Sequence, residues 1–152
     1  MTQQLPYYYD TIVEWTGERK GLLSASNLPT LTVATPPEFQ GHEGIWSPEH
    51  LYVASVNSCL MTTFLAIAQM SKLEFVKFRS QARGQLDKVE GQGFQITNIV
   101  IEPQLTIARE SDRERALRIL EKAEKHCLIS NSIKTTVRVQ PDIRVAETQQ
   151  AA

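Results

Sequence analysis

The residues whose types and placement admit chemistry in this chain are two cysteines, Cys59 and Cys127, an arginine, Arg19, and a glutamate, Glu49. Two thiols serve either as small buried hydrophobes or as a redox pair. The reactive form is the thiolate, so the surroundings of each cysteine decide its role. Cys59 lies among small polar residues, Ser55, Ser58, Thr62 and Thr63, in the middle of an apolar segment that reads as a helix. A mid-helix position gains little from the helix dipole, which acts within the terminal turns. Cys59 therefore needs a nearby cation to be reactive. Cys127, in Lys125-His126-Cys127-Leu-Ile-Ser-Asn131, ends a second helical segment, where the dipole disfavours an anion, although Lys125 and His126 work against that. If the two form a couple, Cys59 attacks first and Cys127 resolves.

Arg19 stands in a tight turn between Gly17 and Gly21. Its guanidinium offers five donors, so bridging a thiolate and a carboxylate would lower the thiol pKa and hold the geometry. The plainer readings are a solvated turn arginine for Arg19 and a first-turn helix carboxylate for Glu49. Glu49 precedes Cys59 by ten residues, about 15 Å of rise along one helix. They cannot touch within one straight helix. Either the arginine spans much of that gap or a second chain contributes to the site.

The elements that position these groups follow from periodicity and turn residues. Residues 8–15 alternate and are rich in β-formers, which predicts a strand. Thr16-Gly-Glu-Arg-Lys-Gly21 reads as a turn, and short strands are expected at 22–26 and 30–34. A loop over 35–46 leads to Ser47-Pro48-Glu49, a strong helix start with serine as cap and proline at the first position. That helix is predicted to run to about Met70, apolar on nearly its whole circumference, so a partner chain is expected to cover one side. Residues 76–86 and 94–107 form a hairpin about Glu90-Gly-Gln-Gly93, with Pro103 suggesting an edge or a bulge. Ser111-Asp-Arg-Glu114 matches a capping box opening a second helix, with Ala116, Leu120, Ala123 and Cys127 on one face. One last strand is expected over 133–145, with a frayed tail from Glu147. The order argues an α+β class with helices packed on antiparallel sheet, as one domain over residues 1–152.

Composition is permissive rather than pointed. The chain has 152 residues, 41% hydrophobic and 22% charged, with 16 Lys plus Arg against 17 Asp plus Glu. That balance leaves no electrostatic footprint for nucleic acid or anionic lipid. The N-terminus lacks the basic and apolar regions of an export signal, and residues 51–70 carry too many polar side chains for a lipid-facing span. A cytoplasmic protein is expected, where cysteine pairs are seldom permanent disulfides.

The motifs Thr16-Gly-Glu-Arg-Lys-Gly21, Pro37-Glu-Phe-Gln-Gly41, Trp46-Ser-Pro-Glu-His-Leu51, Val56-Asn-Ser-Cys59 and His126-Cys-Leu-Ile-Ser-Asn131 resemble the OsmC/Ohr family of osmotically inducible and organic hydroperoxide resistance proteins. The resemblance runs from about Tyr8 to Val145. It implies a β(3)-α-β(2)-α-β order, with antiparallel sheets packed on two long central helices in an intertwined homodimer. It also implies a cysteine-based peroxidase with no metal, flavin or haem. Peroxide oxidises the cysteine matching Cys59 to a sulfenic acid, which the cysteine matching Cys127 condenses to a disulfide. The family's activating arginine falls on Arg19 and its glutamate partner on Glu49. A dithiol, in better-studied members a lipoylated protein, restores the thiols. Leu128 stands where many members have proline, Ile129 where the hydroperoxide resistance proteins commonly have tyrosine, and Leu86-Asp-Lys looks closer to the OsmC-like branch.

An organic peroxide needs a desolvated wall beside the thiolate, and Phe39, Trp46, Met61 and Phe64 flank the motifs, so they are expected to form it at a dimer interface. A cysteine hydrolase would need His42, His50 or His126 as base, and no nucleophile elbow accompanies them. A metal site lacks any close-spaced cysteine pair. The alternative from another class is a non-catalytic dimer of the same fold that binds a small apolar ligand. Thiol reactivity separates it from a peroxidase.

Overall fold

The computed structural model describes residues 4–147, and its contacts divide the chain into two compact units, up to Leu51 and from Tyr52 onward. The first unit holds an antiparallel sheet in the order β1 (Ile12–Gly17), β2 (Lys20–Ser24) and β3 (Leu31–Ala34). β1 begins later than the alternation at Tyr8 suggests, and both strands run further into the turn. Gly17 pairs with Lys20, which leaves Glu18 and Arg19 as the loop. The backbone is left-handed at Glu18 (φ 50°), which glycine-flanked turns accommodate. After β3, a 3-10 turn (Pro37–Phe39) folds the chain so tightly that a Cβ on Gly41 would lie 1.7 Å from the Thr35 carbonyl oxygen. Only glycine fits there. Trp46 then bridges Val33 in parallel, and α1 (Pro48–Met70) begins. The predicted cap forms: Ser47 Oγ accepts the His50 amide at 3.2 Å.

In the second unit, β4 (Phe75–Val89) and β5 (Gly93–Ile107) form the predicted hairpin. The chain continues through α2 (Arg113–Lys125), α3 (Leu128–Asn131), β6 (Thr136–Val139) and β7 (Asp142–Val145). Three expectations need correction. The single strand over 133–145 is two strands, and both pair with β5 in parallel, so this sheet is mixed rather than antiparallel. Pro103 is not at an edge, and the bulges of this hairpin lie elsewhere, at Phe75/Lys77 and Gln85/Leu86. β5 is central, and Pro103 sits in the gap between its β6 pairing (Asn98 to Ile101) and its β7 pairing (Gln104 to Ile107). Continuing the register places Pro103 opposite Pro141, so two residues without an N–H share the gap where no ladder bond is made. The capping box does not form. Ser111 lies in a 3-10 turn (Glu110–Asp112), and the half-buried-to-buried Asp112 carboxylate takes Arg109 (3.4 Å) and Arg115 (3.2 Å) instead. Charge-assisted bonds to two guanidinium groups outcompete one capping amide.

The core of this unit joins Val56, Leu60, Phe64 and Ala68 of α1, spaced four apart, with Ile99, Ile101, Leu105 and Ile107 of β5 and Ala116, Ile119, Leu120 and Ala123 of α2. Phe64 stacks on Phe78 at 5.0 Å and meets Phe75 edge-on at 5.4 Å. Within the chain α1 thus buries one face, while Ser58, Thr62, Leu65, Ala66 and Gln69 are exposed. By length and composition alone α1 is also long and apolar enough to cross a membrane, a test that the core helix of a soluble protein passes as well. Its polar side chains bond locally: Ser55 Oγ to the Tyr52 carbonyl and Ser58 Oγ to that of Ala54, both at 2.7 Å. Asn57 and Ser80 exchange two hydrogen bonds, fastening α1 to β4.

Candidate functional site

The fold of the second unit brings the two cysteines together. Cys59 is half-buried at mid-α1, and Cys127 is buried beyond the end of α2; both are free thiols. Cys127 does not end the second helix. α2 stops at Lys125, His126 closes it, and Cys127 is the N-cap residue of the short α3. Cys127 therefore lies between the end of α2 and the start of α3.

That start supplies what Cys59 needs. Burial alone would push its thiol up, but the backbone amides of Ile129 and Leu128, the Cys127 thiol and the Thr63 hydroxyl all donate toward its sulfur and hold it below the ordinary thiol range. Thr63 Oγ1 lies 4.0 Å from Cys59 Sγ, one helical turn along α1. Cys127 is shifted the other way. Burial pushes its thiol up and the neighbouring Cys59 adds to that, against the Ser130 side chain and amide. Ser130 Oγ donates to Cys127 Sγ at 3.2 Å. The pair is thus polarised, with the anion favoured on Cys59 and the proton on Cys127. Among the described residues the lowering comes from neutral donors, those of α3 among them, and no sequence signal marks these because they come from residues about 70 positions away. Thr63, four residues on in one helix, was legible.

The remaining predicted residues are distributed as follows. Arg19 is exposed, lines an open groove of about 650 Å³ with Trp15, Lys20, Val33 and Pro48, and donates from Nη1 to the Phe39 carbonyl at 2.8 Å. Glu49 is not paired with it among the described residues, and one Glu49 carboxylate oxygen, Oε2, is buried without a hydrogen-bond partner. Phe39 is half-buried, and Trp46 is exposed beside His50, with ring centroids 6.2 Å apart. Met61 borders a cleft of about 270 Å³ with Ala54, Asn57, Ser58, Phe78 and Ser80. Phe64 cannot belong to an open wall. It is fully buried in the core, because its position on α1 falls on the Val56–Leu60–Ala68 face. His42 lies 3.2 Å from Glu18, and the His50 ring bonds Ser47 at 2.7 Å.

Known proteins share this architecture. An OsmC-like protein of unknown function from Vibrio cholerae superposes with a TM-score of 0.82 at 22% identity, covering 90% of this chain and 99% of that one. An organic hydroperoxide resistance protein from Legionella pneumophila gives 0.71 at 24% identity, covering 92% and 100%. Another, from Elizabethkingia anophelis, gives 0.71 at 20%, covering 95% and 100%. At these identities the likeness establishes the fold. In sequence, the uncharacterized protein YmaD of Bacillus subtilis is 26% identical over 136 residues, 86% of this chain and 89% of that protein. The model of the family described as OsmC-like protein matches residues 41–142, a span that includes both cysteines, and the chain belongs to that family.

Proposed function

We propose that this protein is a thiol peroxidase that reduces organic hydroperoxides, and hydrogen peroxide as a smaller substrate. The observation that carries the reading is the polarised pair: Cys59 drawn toward the thiolate in contact with Cys127 held as the thiol. The hydroperoxide resistance proteins of the same fold support the choice of an organic substrate.

In the proposed cycle the Cys59 thiolate attacks the terminal peroxide oxygen. The O–O bond breaks, the departing alkoxide takes a proton to become the alcohol, and Cys59 becomes a sulfenic acid. Cys127 then attacks the Cys59 sulfur. The S–O bond breaks, hydroxide leaves with the proton that Cys127 sheds, and a Cys59–Cys127 disulfide and water result. An external dithiol, a lipoylated protein being one source, is oxidised as both thiols return. Arg19 is assigned the activation of the thiolate and Glu49 the orientation of Arg19, with Phe39, Trp46 and Met61 as apolar substrate contacts. The buried, unpartnered Glu49 oxygen supports a cation partner for that carboxylate. The protein is assigned a homodimeric state in the cytoplasm, without nucleic-acid or membrane partners.

The test is peroxide-dependent oxidation of dihydrolipoamide and dithiothreitol, comparing the native protein with Cys59→Ser and offering hydrogen peroxide and a bulky organic hydroperoxide. Turnover lost with Cys59→Ser is the expected result. No turnover by the native protein, with both thiols reduced, would replace the peroxidase by the apolar-ligand-binding dimer.

A further inference from the structure

The peroxidase cycle, on which this inference rests, makes an awkward demand of Cys127. It must be a thiol while it donates to Cys59, and a nucleophile once Cys59 is oxidised. Burial favours the neutral form throughout. Among the described residues, the groups that bear on the Cys127 sulfur besides Cys59 both belong to Ser130 on α3: its hydroxyl, at 3.2 Å, and its backbone amide.

We propose that Ser130 is a positioning residue for the resolving step: its hydroxyl donates to Cys127 Sγ, fixes that sulfur at the start of α3, and stabilises the thiolate that attacks the sulfenic acid. Geometry supports this. Ser130 is half-buried, three residues beyond Cys127 on the first turn of α3, and its Oγ is 3.2 Å from the sulfur. A hydroxyl is suited to the changing demand, since it donates to a thiolate more strongly than to a thiol and carries no charge that would ionise Cys127 prematurely. In the step it assists, the Cys127 thiolate donates an electron pair to the Cys59 sulfenic sulfur, the S–S bond forms, the S–O bond breaks, and hydroxide leaves to be protonated to water. Peroxide supplied the oxidising equivalent in the preceding step. Of the titratable groups, Cys59 is the one that bears on Cys127.

The first arm of the test does not depend on peroxidase activity. In Cys59→Ser protein a single thiol remains, and its ionisation is followed by nuclear magnetic resonance of carbon-13-labelled cysteine Cβ. Adding Ser130→Ala is expected to raise the Cys127 midpoint by about one unit. Ser130→Thr is expected to restore it. Asn131→Ala, which removes the 3.1 Å bond from Asn131 Nδ2 to the Lys125 carbonyl without touching the sulfur, is expected to leave it in place. An unmoved midpoint in Ser130→Ala, or an equal shift in Asn131→Ala, would overturn the assignment. In the second arm, with both cysteines present, Ser130→Ala should leave the rate of sulfenic acid formation unchanged and slow its conversion to disulfide about threefold. A tenfold loss of thiolate is partly offset by the higher nucleophilicity of a more basic one. Absence of both sulfenic acid and disulfide in the native protein after peroxide would count against the peroxidase and leave the first arm to decide Ser130.

Discussion

The Cys127 thiol donates to the sulfur of Cys59, and that contact ties the start of α3 to the middle of α1. It joins two residues 68 positions apart in sequence, and it orders them chemically as well as spatially. Because the Leu128 and Ile129 amides point to the same sulfur, the segment that delivers the resolving thiol also activates the attacking one.

The first consequence concerns pH. A thiol whose pKa is lowered in the folded protein stays ionised to lower pH, so its oxidation rate falls only as pH drops through that lowered value. The rate of Cys59 oxidation by peroxide, measured from pH 5 to 10, is therefore expected to reach half its plateau below the ordinary cysteine range of about 8.5. In Cys127→Ser the hydroxyl still donates, so the midpoint should stay low. A midpoint at or above the ordinary range would contradict the donor arrangement.

Leu128 offers a sharper test of the amide donors. It is the first residue of α3, where proline is well tolerated, and Cys127 before it is extended, with φ and ψ of −65° and 109°, outside the α region that a following proline disfavours. Leu128→Pro thus removes the N–H aimed at Cys59 with little cost to the fold. The Cys59 midpoint is expected to rise by about one unit, with the melting temperature nearly unchanged. An unmoved midpoint would mean that Ile129, Cys127 and Thr63 suffice.

Phe64 distinguishes core from site. Phe64→Ala is expected to cost about 3–5 kcal/mol in denaturant unfolding, as for a large buried aromatic, because it empties the space against Phe75 and Phe78. If instead stability were unaffected and only organic-peroxide turnover fell, the wall expected from the sequence would be restored.

Local chemistry was legible; long-range assembly was not. Ser47-Pro48 announced α1 because capping is decided within one turn, and the glycine-rich Glu90-Gly-Gln-Gly93 announced the hairpin for the same reason. Pro103 was misread because its meaning depends on Pro141 across a parallel register, which no local pattern carries. Ser111 was misread because Arg109 and Arg115 compete for the neighbouring Asp112. At the site, residue types singled out Cys59 and Cys127, but not the neutral donors that lower Cys59 within the second unit. The amides of Leu128 and Ile129 are invisible to side-chain reasoning, since every residue but proline has one.

The most direct test of the pair is to treat the reduced protein with one equivalent of organic hydroperoxide and map the thiols by mass spectrometry. The account predicts an intramolecular Cys59–Cys127 disulfide in the native protein, and a trapped sulfenic acid on Cys59 in Cys127→Ser. Two unoxidised thiols, or oxidation confined to Cys127, would contradict it.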